Sequence, residues 1–225
     1  MQPRFLGQLG LADAVTVANA ALGFVAAAVA VRDPALAARL VLLAAIADGL
    51  DGVIARARGG TPVGDYLDSL ADVASFGVAP AVLVYGVARE ELGGSLPETA
   101  ALFGVPALFV VMAVVRLGFY MLEDRDAAST EGVQTTLAAT ILAVAYLAGI
   151  TDPLALVGAT AVFTYLMVAH ITYPELYARD ALILGGLQAL TVLFPAVVNQ
   201  VFPRSLLLFA VGYLVLAPVA YWRET

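Results

Sequence analysis

Apolar residues run through this chain in long continuous stretches, and polar residues collect in short clusters between them. The stretches cover residues 12–31, 34–57, 62–88, 98–121, 133–149, 153–171, 181–199 and 204–222. Each has about the length needed to cross ~30 Å of hydrocarbon. A segment in lipid must satisfy its own backbone hydrogen bonds, so each is expected to be helical. Barrel strands would alternate polar and apolar residues over about ten positions, and no such alternation is present. The pattern predicts an all-α polytopic membrane bundle of about eight transmembrane helices, forming one domain over residues 1–225. Turn chemistry marks the joins: Arg32-Asp33-Pro34, Gly59-Gly60-Thr61-Pro62, Gly93-Gly94-Ser95-Leu96-Pro97, Thr151-Asp152-Pro153 and Phe202-Pro203. The polar stretch from Glu123 to Gln134 reads as a solvated connection.

Composition agrees with a membrane setting. Of 225 residues, 62% are hydrophobic and only 13% charged, with a mean hydropathy of +0.93, whereas soluble domains carry about 25% charged residues. No cysteine is present, which excludes disulfides, thiolate metal sites and cysteine nucleophiles. The net charge of −7, with every basic residue an arginine and no lysine, leaves no basic patch for nucleic acid. An acidic, lysine-free chain of this kind also suits a high-salt cytoplasm. The N-terminal MQPRFLGQLGLAD lacks a cleavage site and reads as an interfacial lead-in to the first span.

With the N-terminus inside, Arg4, Arg56, Arg58, Arg125, Arg179 and Arg223 fall on or beside inner segments, and Arg116 lies just within the inner end of the fourth span. Arg32, Arg39, Arg89 and Arg204 fall towards the outside. The bias orients the join of the second and third spans towards the cytoplasm. Gly49, Gly52 and Ala55 on the second span and Gly185-Gly186 in the seventh read as helix-packing positions. Tyr173, Tyr177, Tyr213, Tyr221 and Trp222 read as interface-belt residues.

Four carboxylates interrupt the apolar pattern within one hairpin: Asp48, Asp51, Asp68 and Asp72. Ionised groups at membrane depth are costly unless paired or bound to a cation. Asp48 and Asp51 are three residues apart on the second span; Gly64, Asp68, Asp72 and Phe76 follow at four-residue intervals on the third, so each set shares a helix face. Two antiparallel helices would bring both carboxylate pairs together. Arg56 and Arg58 cannot balance four aspartates. Oxygen-only ligands select a hard divalent cation, Mg2+, Mn2+ or Ca2+, and such ions suit phosphoryl chemistry. Gly52 and Ala55 would let a phosphate or nucleotide approach the backbone, with Arg56 placed to pair with it.

The string Asp48-x-x-Asp51-Gly52-x-x-Ala55-Arg56, then seven residues, then Gly64-x-x-x-Asp68-x-x-x-Asp72, resembles the signature of the CDP-alcohol phosphotransferase family at every fixed position. The run from Asp68 to Pro80, the pattern Thr16-x-x-Asn19-x-x-x-Gly23, and Leu166 to His170 followed by Tyr173 resemble its phosphatidylserine synthase branch. Of the branch's Phe-x-Gly-Leu-Pro-type stretch, Thr130-Glu131-Gly132-Val133-Gln134 keeps little beyond the glycine. The resemblance implies a six-helix core plus two further helices, and a homodimer. It also implies transfer of a phosphatidyl group, or an archaetidyl group in a halophilic archaeon, from a CDP-activated lipid to the hydroxyl of L-serine, with release of CMP. Asp48, Asp51, Asp68 and Asp72 would hold one or two Mg2+ or Mn2+ ions, and Asp72 would serve as general base. Other acceptors, glycerol phosphate or an inositol phosphate, would use the same chemistry. A cation transporter would instead spread its carboxylates over several spans.

Outside the signature, Arg116 is a candidate for the acceptor's carboxylate or a phosphate, and Ser75 and Phe76 are candidates for the acceptor pocket. Thr16 and Asn19 are candidates for binding the cytidine or a phosphate, beside Gly64 of the signature. His170, the only histidine, is expected to be interfacial rather than a base.

Overall fold

The computed structural model describes residues 7–124, 129–174 and 176–221. Arg4, Arg125, Trp222 and Arg223 lie outside the described residues. Among the described residues, eight helices make up the bundle. They are α1 (Leu11–Ala30), α2 (Pro34–Arg58), α3 (Gly64–Ala88), α4 (Leu96–Phe119, continued by a π-helical turn Tyr120–Asp124), α5 (Thr135–Leu147), α6 (Pro153–Leu166), α7 (Ala178–Leu193) and α8 (Val201–Ala220). Four of them, α1, α3, α4 (taken over Leu96–Leu122) and α8, are long and apolar enough to cross a membrane; α5 and α6 are shorter apolar helices.

Local chemistry fixes the helix starts. Asp33 and Asp152 each accept the backbone N–H three residues on, at 2.9 and 2.7 Å, and a proline follows each of them at the first helical position. Ser95 and Glu98 form a reciprocal capping box, so α4 begins before the expected residue 98. The sixth and seventh stretches are shorter as helices than as apolar runs, ending at Leu166 and Leu193 rather than at 171 and 199. After Leu193 the chain turns through Val198, Asn199 and Gln200, all with positive φ, a backbone that cannot continue a right-handed helix.

α1 packs along α2 and against the first half of α3; α4 pairs with α6, and α7 lies on α2 and α8. α5 sits centrally, against α2, α3 and α8. Its apolar residues surround the helix, and ten of its thirteen residues are buried, which is why its sequence shows no polar face. Arg39 Nε donates to the Val192 carbonyl at 2.7 Å and Gln188 Nε2 to the Leu42 carbonyl at 3.1 Å, tying α2 to α7.

The close approaches are not the ones expected. A Cβ at Gly49, Gly185 or Gly186 would meet nothing within 4 Å, whereas at Gly23 it would lie 2.6 Å from Ser75 Oγ and at Gly86 2.7 Å from the Ala30 carbonyl oxygen. These two contacts let α3 lie directly on α1 and on the α1–α2 turn. α3 is itself interrupted: Val73–Val78 forms a π-helical turn between α-helical Gly64–Asp72 and Ala79–Ala88.

A two-stranded antiparallel sheet, unexpected in an all-α chain, joins β1 (Ser129–Glu131) to β2 (Thr172–Pro174). The stretch expected to be a solvated connection is therefore built into the fold at its C-terminal end. Gly132 and Val133 N–H donate to the Ile171 and Leu166 carbonyls at 2.9 and 3.0 Å. Gly132 has φ +74, and a Cβ there would fall 2.2 Å from the Met167 carbonyl oxygen. Only glycine fits.

Candidate active site

The α2–α3 hairpin and its turn bring the signature carboxylates to one end of the bundle. Asp48, Asp68 and Asp72 each present an oxygen, and these atoms all lie within 4.8 Å of one another. Asp68 and Asp72 each keep one buried carboxylate oxygen with no hydrogen-bond partner among the described residues. Clustered carboxylates with orphaned buried oxygens fit a hard divalent cation, which would satisfy both the charge and the open lone pairs.

Asp51 stands beside this cluster rather than in it. It is buried, and the Thr16 hydroxyl donates to its Oδ2 at 2.6 Å, so α1 holds the second carboxylate of α2 in place. A further buried carboxylate escaped sequence reading. Asp13, 2% exposed in the first turn of α1, accepts the Gly10 N–H at 2.7 Å and the Thr61 hydroxyl at 2.8 Å. A Cβ at Gly64 would lie 3.2 Å from its Oδ1. Asp13 thus caps α1 and ties it to the turn that positions Asp68. The signal was a carboxylate at the N-terminus of an apolar span, where it complements the helix dipole.

A cavity of about 200 Å³ opens over the cluster, lined by Asp48, Asp68, Ser69, Asp72, Arg116, Leu117, Tyr120, Ser129, Thr130, Gln134, Thr135, Thr136 and Tyr173. Arg116, 7% exposed, donates from Nη2 to the Thr130 hydroxyl at 3.2 Å and stacks over the Tyr120 ring at 5.7 Å. The guanidinium is thereby held in the wall facing the aspartates. A second cavity, lined by Val115, Phe119, Met167 and His170 among others, shares Arg116 and Tyr120 with the first.

Other candidates fall elsewhere. Ser75 and Phe76 are fully buried and do not line the cavity. The Ser75 hydroxyl donates to the Asn19 carbonyl at 2.8 Å, and Phe76 packs in the apolar core with Ala26, Leu83 and Val144. The π turn is the reason, since it shifts the four-residue face after Asp72 away from the cavity. Asn19 is fully buried, and both of its side-chain polar atoms lack a partner among the described residues. The exposed Arg56 folds back over Gly52, its Nη1 3.4 Å from where a Cβ would stand. Ala55 lies half-buried on the same helix.

Four tyrosines pack together. Tyr173 is 3% exposed and donates to the Leu214 carbonyl at 3.1 Å; Tyr213 donates to the Pro174 carbonyl at 2.6 Å. Tyr213 also meets the ring of Tyr221, which stacks on Tyr177 and bonds Asp180 through its hydroxyl. Burial pushes the Tyr173 phenol up from its ordinary value. His170 is exposed, pairs through Nδ1 with Glu131 at 3.0 Å, and does not line the cavity over the aspartates.

The family model described as CDP-alcohol phosphatidyltransferase matches residues 9–174, a span that contains every residue lining the cavity over the carboxylate cluster. The chain is 30% identical over 177 residues to a protein of Methanothermobacter thermautotrophicus named archaetidylserine synthase, covering 77% of this chain and 73% of that one. It is 33% identical over 151 residues to a CDP-diacylglycerol–serine O-phosphatidyltransferase of Helicobacter pylori, covering 62% of this chain and 61% of the relative. Over 47 residues it is 53% identical to a protein of that same name from Methanocaldococcus jannaschii, 20% of this chain and 23% of the relative. With a carboxylate cluster at the signature positions and a family match over most of its length, the chain belongs to the CDP-alcohol phosphatidyltransferase family.

Proposed function

We propose that the chain transfers the phosphatidyl-type group of a CDP-activated lipid, ester- or ether-linked, to the hydroxyl of L-serine and releases CMP. The observation that carries this is the Asp48, Asp68 and Asp72 cluster opening on a polar cavity whose opposite wall holds the buried Arg116. The names of the relatives support serine as acceptor.

Asp48, Asp68 and Asp72, with Asp51 beside them, would hold Mg2+ or Mn2+, one ion or two, and Ca2+ has the same ligand preference. Bound there, the metal supplies charge neutralisation for a pyrophosphate. Asp72 takes the proton of the serine hydroxyl. The serine oxygen forms a bond to the lipid-side phosphorus as the bond from that phosphorus to the CMP oxygen breaks, and CMP departs with the electron pair. Gly52, Ala55 and Arg56 border the nucleotide side; Arg116 pairs with the acceptor's carboxylate. Holding the reactants in line supplies most of the acceleration, and base catalysis adds about 10²- to 10⁴-fold.

The same reading has all eight helices embedded in the bilayer, the site facing the cytoplasm, and a second copy of the chain as partner. The distribution of arginines supports the orientation.

The test is release of CMP from CDP-lipid by purified protein given Mn2+ or Mg2+ and labelled L-serine, with the label recovered in lipid. Release with glycerol phosphate but none with serine overturns the serine assignment.

A further inference from the structure

Thr135 stands at the first position of α5, with its side chain on the cavity wall, and is 1% exposed. Its hydroxyl has no hydrogen-bond partner among the described residues. Three other helical threonines satisfy themselves. Thr160, Thr164 and Thr191 each donate to the carbonyl four residues earlier, at 2.7, 2.8 and 2.9 Å. Thr135 does not, and a buried hydroxyl left this way is costly unless a ligand supplies the partner.

The surroundings indicate the sign of that ligand. The first turn of a helix has backbone N–H groups without intrahelical partners, and the macrodipole places positive potential there. Gln134, in the capping position, makes no side-chain cap, and Gln134, Thr135 and Thr136 all line the cavity. Across it stands Arg116, fixed by Thr130 and Tyr120. The carboxylate cluster occupies a third side, where an anion could approach only with a cation between. An anionic group bound away from the cluster meets N–H donors, a hydroxyl and a guanidinium.

We propose that the N-terminal turn of α5, through the Thr135 hydroxyl, is the subsite that receives the anionic group of the acceptor, the carboxylate of L-serine. The proposal rests on the serine reading above. It makes Thr135 a specificity-determining residue. The carboxylate would be held between α5 and Arg116, leaving the serine hydroxyl free to face Asp72.

The experiment compares wild type, Thr135→Val, which keeps the shape and removes the hydroxyl, and Thr135→Ser, which keeps the hydroxyl. The KM for L-serine and that for CDP-lipid are measured separately, with thermal stability alongside. The expected result is a rise in serine KM of about tenfold to a hundredfold in Thr135→Val, the range for a lost hydrogen bond to a charged group. Thr135→Ser should stay near wild type, and the KM for CDP-lipid should stay within about twofold in both. A serine KM unchanged in Thr135→Val overturns the proposal. So does a rise in the CDP-lipid KM instead, which would place a donor phosphate there, or an equal loss in Thr135→Ser, which would mark a packing role. If wild type uses glycerol phosphate and not serine, the serine reading falls by itself. The subsite is then tested on the glycerol phosphate KM, and it stands only if Thr135→Val raises that value.

Discussion

The backbone of Gly23 in α1 lies so close to Ser75 in the π-helical turn of α3 that a methyl group at position 23 would fall 2.6 Å from Ser75 Oγ and 2.7 Å from its Cα. The Ser75 hydroxyl, donating to the Asn19 carbonyl at 2.8 Å, closes the same contact from the other side. The lock sits directly after Asp72, so it sets where that carboxylate stands relative to α1 and α2. Gly23→Ala is expected to cost about 1–3 kcal/mol by overpacking and to lower turnover. Gly185→Ala, where a Cβ meets nothing within 4 Å, should stay within about 0.5 kcal/mol of wild type. Thermal unfolding in detergent compares the two, and equal midpoints would remove the lock from the account of the site.

Thr16 is the sole hydroxyl donor recorded to Asp51 among the described residues, at 2.6 Å. Thr16→Val leaves a buried carboxylate without that donor, a loss of about 1.5–3 kcal/mol for a hydrogen bond to a charged group. Turnover should fall at least about tenfold, and Thr16→Ser should restore it. Steady-state CMP release is the readout; full activity in Thr16→Val would detach Asp51 from the reaction.

Asp48→Asn, Asp68→Asn and Asp72→Asn each remove one charge from a cluster whose oxygens lie within 4.8 Å. Each should reduce CMP release by at least about 10²-fold, and Asp72→Asn should still bind CDP-lipid in a filter or calorimetric assay. Chelation of wild type should abolish turnover, with recovery on adding Mg2+ or Mn2+. Turnover that survives chelation would refute the metal reading, and turnover that survives Asp72→Asn would move the base elsewhere.

Gly132 cannot carry a side chain, because φ is +74 and a Cβ would stand 2.2 Å from the Met167 carbonyl oxygen. Gly132→Ala should therefore detach the β1 strand from β2 and release Thr130 from Arg116. The expected outcome is a serine KM raised about tenfold or more, on the scale of a lost hydrogen bond to a charged group. The binding of CDP-lipid should change less. Hydrogen exchange across residues 129–134 would report the detachment directly, and retained protection there would contradict it.

The carboxylate hairpin was legible because its chemistry conflicts with its setting: four aspartates in an apolar chain, at helical spacing on either side of a Gly-Gly-Thr-Pro turn. The same periodicity misled four residues later. The four-residue series from Gly64 through Asp72 extends naturally to Phe76, but a π turn carries no sequence mark that a spacing rule detects, and Phe76 ends in the core. Arg116 was legible as an intramembrane charge. Thr130 and Thr135 were not, because a lone threonine in an apolar run is common, and the pairing that brings them to the cavity joins segments about forty residues apart. Gly132 had been the one position of its stretch to match the family pattern, and the backbone contact with Met167 gives the physical reason. Helix ends failed where a run of apolar residues continued past the last helical turn, as beyond Leu193.

The cavity takes its two walls from different parts of the chain. Every clustered carboxylate comes from residues 48–72, together with the α1 groups that brace them, whereas Arg116, Thr130, Thr135 and Tyr173 follow only after α3 is complete. Among the described residues, no member of the carboxylate cluster is contributed by the later wall. Substitutions between residues 116 and 173 can therefore reshape what the cavity admits while every residue of the carboxylate cluster stays in place, so the two walls are separable in the chain.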